Sequence, residues 1–259
     1  MTMISAGALK FGTDSAFQLE LRRRVDEYSQ VTGRRRRDCW EMYLKTAILL
    51  AGLVVTYLLL VFVAHAWWQS VPLAALLGLA AAGIGFNIQH DGGHQAYSRH
   101  PPIHKLAGMP PDLLGGSSYL WHCKHVVIHH TYVNVTGYDS DLNLGIFGRV
   151  TPHQRRLTFH RWQHLYLWAL YRFLAIRWQL VDDFRRLIAG RIGSHRIRRP
   201  IGWALAFLVA GKATFFACAF GVPMLLPPVN VVLIHYVIAA VVLGTTLAAV
   251  FQVAHCVEE

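Results

Sequence analysis

TAILLAGLVVTYLLLVFVA, residues 46–64, runs nineteen positions without a charge. VPLAALLGLAAAGIGFNI at 71–88 and VNVVLIHYVIAAVVLGTTLAAVFQVA at 229–254 are also uncharged, and 201–222 carry Lys212 alone. A bilayer core takes about 20 apolar residues per helix. The pattern therefore predicts four transmembrane helices at these positions, in a chain that is 54% hydrophobic and 15% charged. The first pair is joined by a short stretch around His65–Ser70 and the second by little more than Pro223–Pro228. The expected fold class is an all-α integral membrane protein, with two helical hairpins and a long central segment, 89–200, between them.

The formal charge of +11 raises the question of nucleic acid, and its placement answers it. Nine Lys/Arg precede the first span, fifteen lie in 89–200, and neither hairpin loop has any. This is the positive-inside distribution, which predicts a cytoplasmic N-terminus, central segment and C-terminus. The run Arg34–Arg37 reads as a topology anchor near anionic lipid, with no nucleic-acid recognition motif beside it. Residues 14–30 predict a short amphipathic helix capped by Asp14 or Ser15. Cys39, Cys123, Cys218 and Cys256 are isolated and read as reduced thiols. Trp67-Trp68 and the aromatic stretch 161–178 read as interfacial anchors.

The fifteen histidines are not scattered. His90 and His94 follow the second span in HDGGH. His125, His129 and His130 lie in WHCKHVVIHH, 121–130, and His255 ends the fourth span. Spacing i, i+4 puts His90/His94 and His125/His129 on shared helix faces, while His130 lies one position further round and is expected to point elsewhere, to serve a second metal or a different side of the first. Neutral imidazole suits first-row transition metals. His65, His153 and His195 read as ordinary hydrogen-bonded or interfacial side chains. His100/His104 is set aside because Pro101-Pro102 interrupts a helix interior. His160/His164 suits packing or a supporting role better than ligation. His235 lies mid-membrane, where an ionisable group is costly.

Zinc proteolysis would place a glutamate between paired histidines. Glutamate is absent between Glu41 and Glu258, which also excludes the carboxylate-rich di-iron bundle. What remains is an all-nitrogen, or nearly all-nitrogen, non-haem iron centre beside the membrane, suited to oxygen activation on a lipid-like substrate. Asp91, Asp139 and Asp141 are candidates to accept N–H bonds from ligating imidazoles, or else to cap helix ends. Gly92-Gly93 weakens a helix by about 1 kcal/mol per residue relative to alanine, which suggests close approach to metal or neighbour.

HDGGH, WHCKHVVIHHTYVNVTGYDSDLN, FHRWQHLYLWALY and FQVAHCVE resemble the membrane fatty acid desaturase family, most nearly its bacterial and front-end, linoleoyl-CoA type branch. The two histidine boxes with the Asn134…Asp139-Ser140-Asp141 continuation are specific in combination. The resemblance implies two irons held by histidines, O2 as co-substrate, an acyl-chain lipid substrate, and removal of two hydrogens with two external electrons. It implies His90, His94, His125, His129, His130 and His255 as ligands, with Asp91, Asn134, Asp139, Asp141 and His164 as possible supports. No catalytic side chain beyond the metal site is implied. An unactivated methylene has no acidic proton, so acid–base side chains alone cannot attack it.

The family's third box, a His or Gln followed two residues later by a histidine pair, has no counterpart, since no histidine pair occurs after His130. The expectation is a truncated or incomplete enzyme, with the second iron site short of ligands. No His-Pro-Gly-Gly motif of a fused cytochrome is present, so electrons are expected from a separate ferredoxin or b-type cytochrome with its reductase. The expected organisation is a cytoplasmic N-terminal segment, 1–42, and a desaturase-like membrane domain, 43–259. Competing readings are a related hydroxylase of lipid, alkane or carotenoid substrates, and a non-catalytic histidine-rich membrane protein.

Overall fold

The structure is a computed structural model that describes residues 15–255 together with Ile4, Ser5, Leu9 and Gly12; the side chains of Ile4, Ser5, Ala254 and His255 lie outside that description. Helix α1, Ala16–Thr32, follows Ser15 and ends at Gly33, whose φ of +64° closes it in the left-handed region. Asp14, the other expected cap, lies outside the described residues, and Ser15 makes no side-chain cap bond.

Four helices are long and apolar enough to cross a bilayer: α2, Trp40–Val63; α3, Trp67–Gly93; then Trp203–Leu225 and Val229–Val253. Each agrees with one of the apolar runs, and α3 continues past the apolar stretch to include HDGG. The backbone ladder carries through a π-helical turn at Gly85–Gln89 and resumes as α-helix at His90–Gly93. The first histidine box is thus built on the helix itself.

Between the hairpins lie α4, Pro101–Gly108, and α5, Pro110–Leu113. Proline at the first helical positions lacks only an N–H that would be unpaired there. His100 therefore precedes α4 and His104 lies within it, so the two share no continuous helix. Helix α6 spans 118–129, α-helical over Ser118–Trp121 and π-helical over His122–His129. Helix α7, Gln163–Tyr171, is followed by α8 over 174–189, whose parts are Leu174–Arg177, a π turn at Trp178–Asp182, and Asp183–Ala189. The third span is α9, Trp203–Leu225, and the fourth helix is α10, Val229–His255.

Within the bundle, α3 packs between α2 and α10. A Cβ on Gly78 would overlap the Ala239 carbonyl of α10, so glycine permits that approach. Ala81, Ala82, Ala240, Leu243 and Leu247 form the resulting core with Ala175 of α8. Large side chains such as Val54, Phe62 and Leu79 remain exposed on the spans, as helices facing acyl chains require. The third span packs chiefly on α5, and its C-terminal part also meets α10, where the Phe220 and Tyr236 rings lie 4.8 Å apart. Lys212 of α9 is 5% exposed and reaches the Gly115 carbonyl, the Gln179 carbonyl (3.1 Å) and the Asp183 carboxylate (3.0 Å). Tyr236 of α10 donates to Gln179 Oε1 at 3.0 Å, closing a buried polar knot.

A small antiparallel sheet was not anticipated. Strand β1, Ile4–Ser5, pairs with β3, His195–Ile197, which also pairs with β2, Arg191–Ile192. The β2–β3 turn uses Gly193 at φ +57°. His195 and Ile197 are buried and Arg196 is exposed, the period-two alternation of a half-buried strand. His195 Nε2 bonds to the Tyr138 carbonyl at 2.9 Å.

Candidate metal centre

Two helix ends meet here. The second is fixed by capping: Ser117 Oγ accepts the Leu120 N–H at 3.3 Å, and Asp112 Oδ1 accepts the Ser118 N–H at 3.1 Å. The first is fixed by close packing. A Cβ on Gly92 would lie 2.5 Å from Ala107 C and Gly108 N, and one on Gly93 would overlap the Trp121 ring. The paired glycines therefore serve approach to neighbours, α4 on one side and α6 on the other.

Four imidazoles gather at this junction. The rings of His90 and His94 lie 4.5 Å apart, as do those of His94 and His130. His125 Nε2 stands 3.3 Å from His90 Nε2 and 3.2 Å from His130 Nε2. Of the two places open to His130, it takes the one in this cluster. In a π-helical turn the i to i+5 hydrogen bond, here His130 N–H to the His125 carbonyl at 3.1 Å, brings positions five apart together. His129 is turned to the other side of His125, where its ring stacks at 5.3 Å.

His129 Nδ1 bonds to Asp139 Oδ2 at 2.9 Å, with both side chains nearly sealed from solvent. Asp139 also accepts the Asn134 N–H at 3.2 Å and the Asp141 N–H at 2.9 Å. It thus combines the two roles weighed from sequence, orienting an imidazole and capping the short turn Ser140–Leu142. Asn134 acts through its backbone, at φ +61°. Asp141 pairs with Lys124 and lies 3.6 Å from His129 Nδ1. Asp91 stands 4.0 Å from His90 Nδ1, beyond hydrogen-bond range. His164 is exposed beside Trp162, and the His255 side chain lies outside the described residues.

Burial, reinforced by neighbouring imidazoles, lowers His94 to about 4 and His125 to about 2, so both are neutral at pH 7. The Asp139 hydrogen bond raises His129 against the opposing effect of burial. Burial alone would raise Asp139, but the His129 bond and the Asp141 N–H outweigh it and hold the carboxyl low.

The donor set fits a transition-metal ion. One ring nitrogen carries either a proton or a lone pair, so His125 Nε2 can satisfy only one of its two imidazole neighbours by hydrogen bonding. With metal–nitrogen bonds of about 2.0–2.1 Å, tetrahedral ligand nitrogens stand about 3.3 Å apart, matching the observed spacings. His94 Nε2 is buried with no hydrogen-bond partner among the described residues. Ligand atoms of His90, His94 and His125 lie within 4.8 Å of one another, as do those of His125, His129 and Asp141. His125 belongs to both groups.

Sequence reasoning missed Trp121, whose ring stacks on His125 at 4.6 Å and 27°. Its place four residues before His125 was the available signal. It also missed Gln89, buried one residue before the first box.

The fatty acid desaturase family model matches residues 66–258. The sn-1 linoleoyl-lipid 6-desaturase of Arthrospira platensis is 34% identical over 250 residues, covering 96% of this chain and 68% of that protein. The sn-1 linoleoyl-lipid 6-desaturase of Synechocystis sp. is 32% identical over 257 residues, covering 99% and 72%. An acyl-lipid (8-3)-desaturase of Physcomitrium patens is 32% identical over 247 residues, covering 94% of this chain and 52% of its own length. No solved structure matches.

Proposed function

The chain belongs to the fatty acid desaturase family, and we propose that it introduces a double bond into the acyl chain of a lipid, with two irons held by His90, His94, His125, His129, His130 and His255. The observation that carries the ligand assignment is the meeting of His90 and His130 at His125 Nε2, at 3.3 and 3.2 Å. Iron bound there supplies the redox chemistry that acid–base groups lack: with O2, two external electrons and two protons, two hydrogens leave adjacent methylenes and both oxygen atoms end as water.

The chain's own residues do the positioning. Neutral His94 and His125 present lone pairs at pH 7. Asp139 fixes the tautomer of His129, leaving its Nε2 for the metal. Trp121 covers one face of His125 and keeps water from it. The separate electron donor remains a ferredoxin or a b-type cytochrome with its reductase, and the membrane-domain boundary near residue 43 is part of the same reading. The relatives named above are desaturases, which favours this outcome over hydroxylation or metal carriage.

Expression in a host with suitable donors, of this chain extended by a segment carrying a third histidine pair, followed by fatty acid analysis, tests the reaction: a new unsaturated acid is expected, and a hydroxylated product would overturn it. Cytoplasmic termini are inferred from the Lys/Arg distribution. Protease outside sealed cells should leave 89–200 intact, and cleavage there would reverse the orientation.

A further inference from the structure

On the segment that follows the Asp139 turn lies an open cavity of about 300 Å³ lined by Arg149, Arg156, His160, Arg161 and Gln163. Three guanidiniums share this one cavity, and no carboxylate lines it. Basic groups left together without counter-charge point to an anion.

The floor is rigidly built. Arg149 donates to the Gln154 and Pro152 carbonyls, both at 2.9 Å, and Gln163 clamps its backbone N–H (3.1 Å) and carbonyl (2.9 Å). His160 is buried, with Nε2 on the Ile146 carbonyl at 2.8 Å. Arg156 and Arg161 are exposed, and the Arg161 guanidinium lies over the Trp162 ring at 5.4 Å. Phe147, Phe159 and Trp162 stand exposed on the same segment, the aromatic signature of a membrane interface. The segment is also tied to the metal centre: Gln154 Nε2 donates to the Leu142 carbonyl at 2.7 Å, next to the turn whose Asp139 orients His129.

We propose that this cavity binds the phosphate group of the acyl carrier, so that a headgroup held there sets how far the acyl chain extends toward the histidines. The proposal rests on the desaturase reading. Arginine forks suit phosphate oxygens bidentately, which gives orientation as well as affinity.

The test uses the purified full chain and equilibrium binding of dioctanoylphosphatidylglycerol, dioctanoylglycerol, octanoyl-coenzyme A and inorganic phosphate. A phosphate-bearing acyl ligand should bind at least about tenfold more tightly than dioctanoylglycerol, and R156Q/R161Q should remove that advantage. R155Q, a neighbouring charge that does not line the cavity, should leave it unchanged. Arginine-dependent binding of the phospholipid alone identifies a lipid headgroup, and of the coenzyme A ester alone a soluble thioester; either supports the proposal. Equal binding by wild type and R156Q/R161Q, or arginine-dependent binding of inorganic phosphate alone, would overturn it. Binding requires no turnover, so product analysis of the wild type judges the reaction separately from the cavity.

Discussion

His130 Nε2 lies 3.2 Å from His125 Nε2, five residues earlier along the chain. That contact depends on the π-helical form of His122–His129, and His125 is also the member common to both candidate metal groups. Unequal consequences follow for alanine substitutions. H125A should strip nearly all iron, whereas H129A should leave roughly half, because the group built from His90, His94, His125 and His130 stays intact. H153A, at an exposed loop position, should keep full iron. Metal analysis of the purified variants decides this, and equal iron in H125A and H153A would reject the assignment.

The spans were legible because apolar runs free of charge have one physical outcome in a bilayer. Histidine spacing showed which residues gather but not how they divide. The i, i+4 rule assumes α-helical geometry, and no residue type in HCKHVVIH announces a π turn. The sequence therefore left open whether His130 serves a second metal or another side of the first, and the shared role of His125 was invisible. Lys212 looked like an isolated charge in a span because its partners, Gly115, Gln179 and Asp183, are distant in sequence and meet only through packing. The β2–β3 hairpin was missed although Gly193-Ser194, between Arg191-Ile192 and His195-Arg196-Ile197, is an ordinary turn signal.

Asp139 tests how far orientation alone governs metal retention. Asparagine keeps its size and can still accept the Asp141 N–H, but it lacks the charge that stabilises His129 Nδ1–H. D139N should fold normally and lose iron to a chelator about 10–100 times more readily than wild type. Unchanged chelator resistance would mean that His129 needs no carboxylate.

Glycine substitutions separate contact from helix propensity. G93A would drive a methyl group into Trp121, which stacks on His125, and G92A would press on the α4 backbone. Both should lower thermal stability and iron content. Gly52 of α2 has nothing within 4 Å of its missing Cβ, so G52A should be neutral or should stabilise by at most about 1 kcal/mol. Equal behaviour of all three in thermal denaturation would remove close packing as the reason for the glycine pair.

Lys212 and Asp183 provide the sharpest energetic test, since they are 5% and 0% exposed and lie 3.0 Å apart. Burial pushes the Asp183 carboxyl up, and the ammonium of Lys212 works against that effect. Removing the lysine alone leaves a buried carboxylate whose remaining cation, Arg186, stands 3.6 Å away. K212M should therefore destabilise by about 3–5 kcal/mol. K212M/D183L removes the stranded charge and should recover part of that loss, although the Gly115 and Gln179 carbonyls still lack the donor they had. The recovery isolates the ion pair from the packing of α9 against α5. If K212M/D183L proves no more stable than K212M in detergent unfolding, the pair contributes nothing beyond its two carbonyl hydrogen bonds.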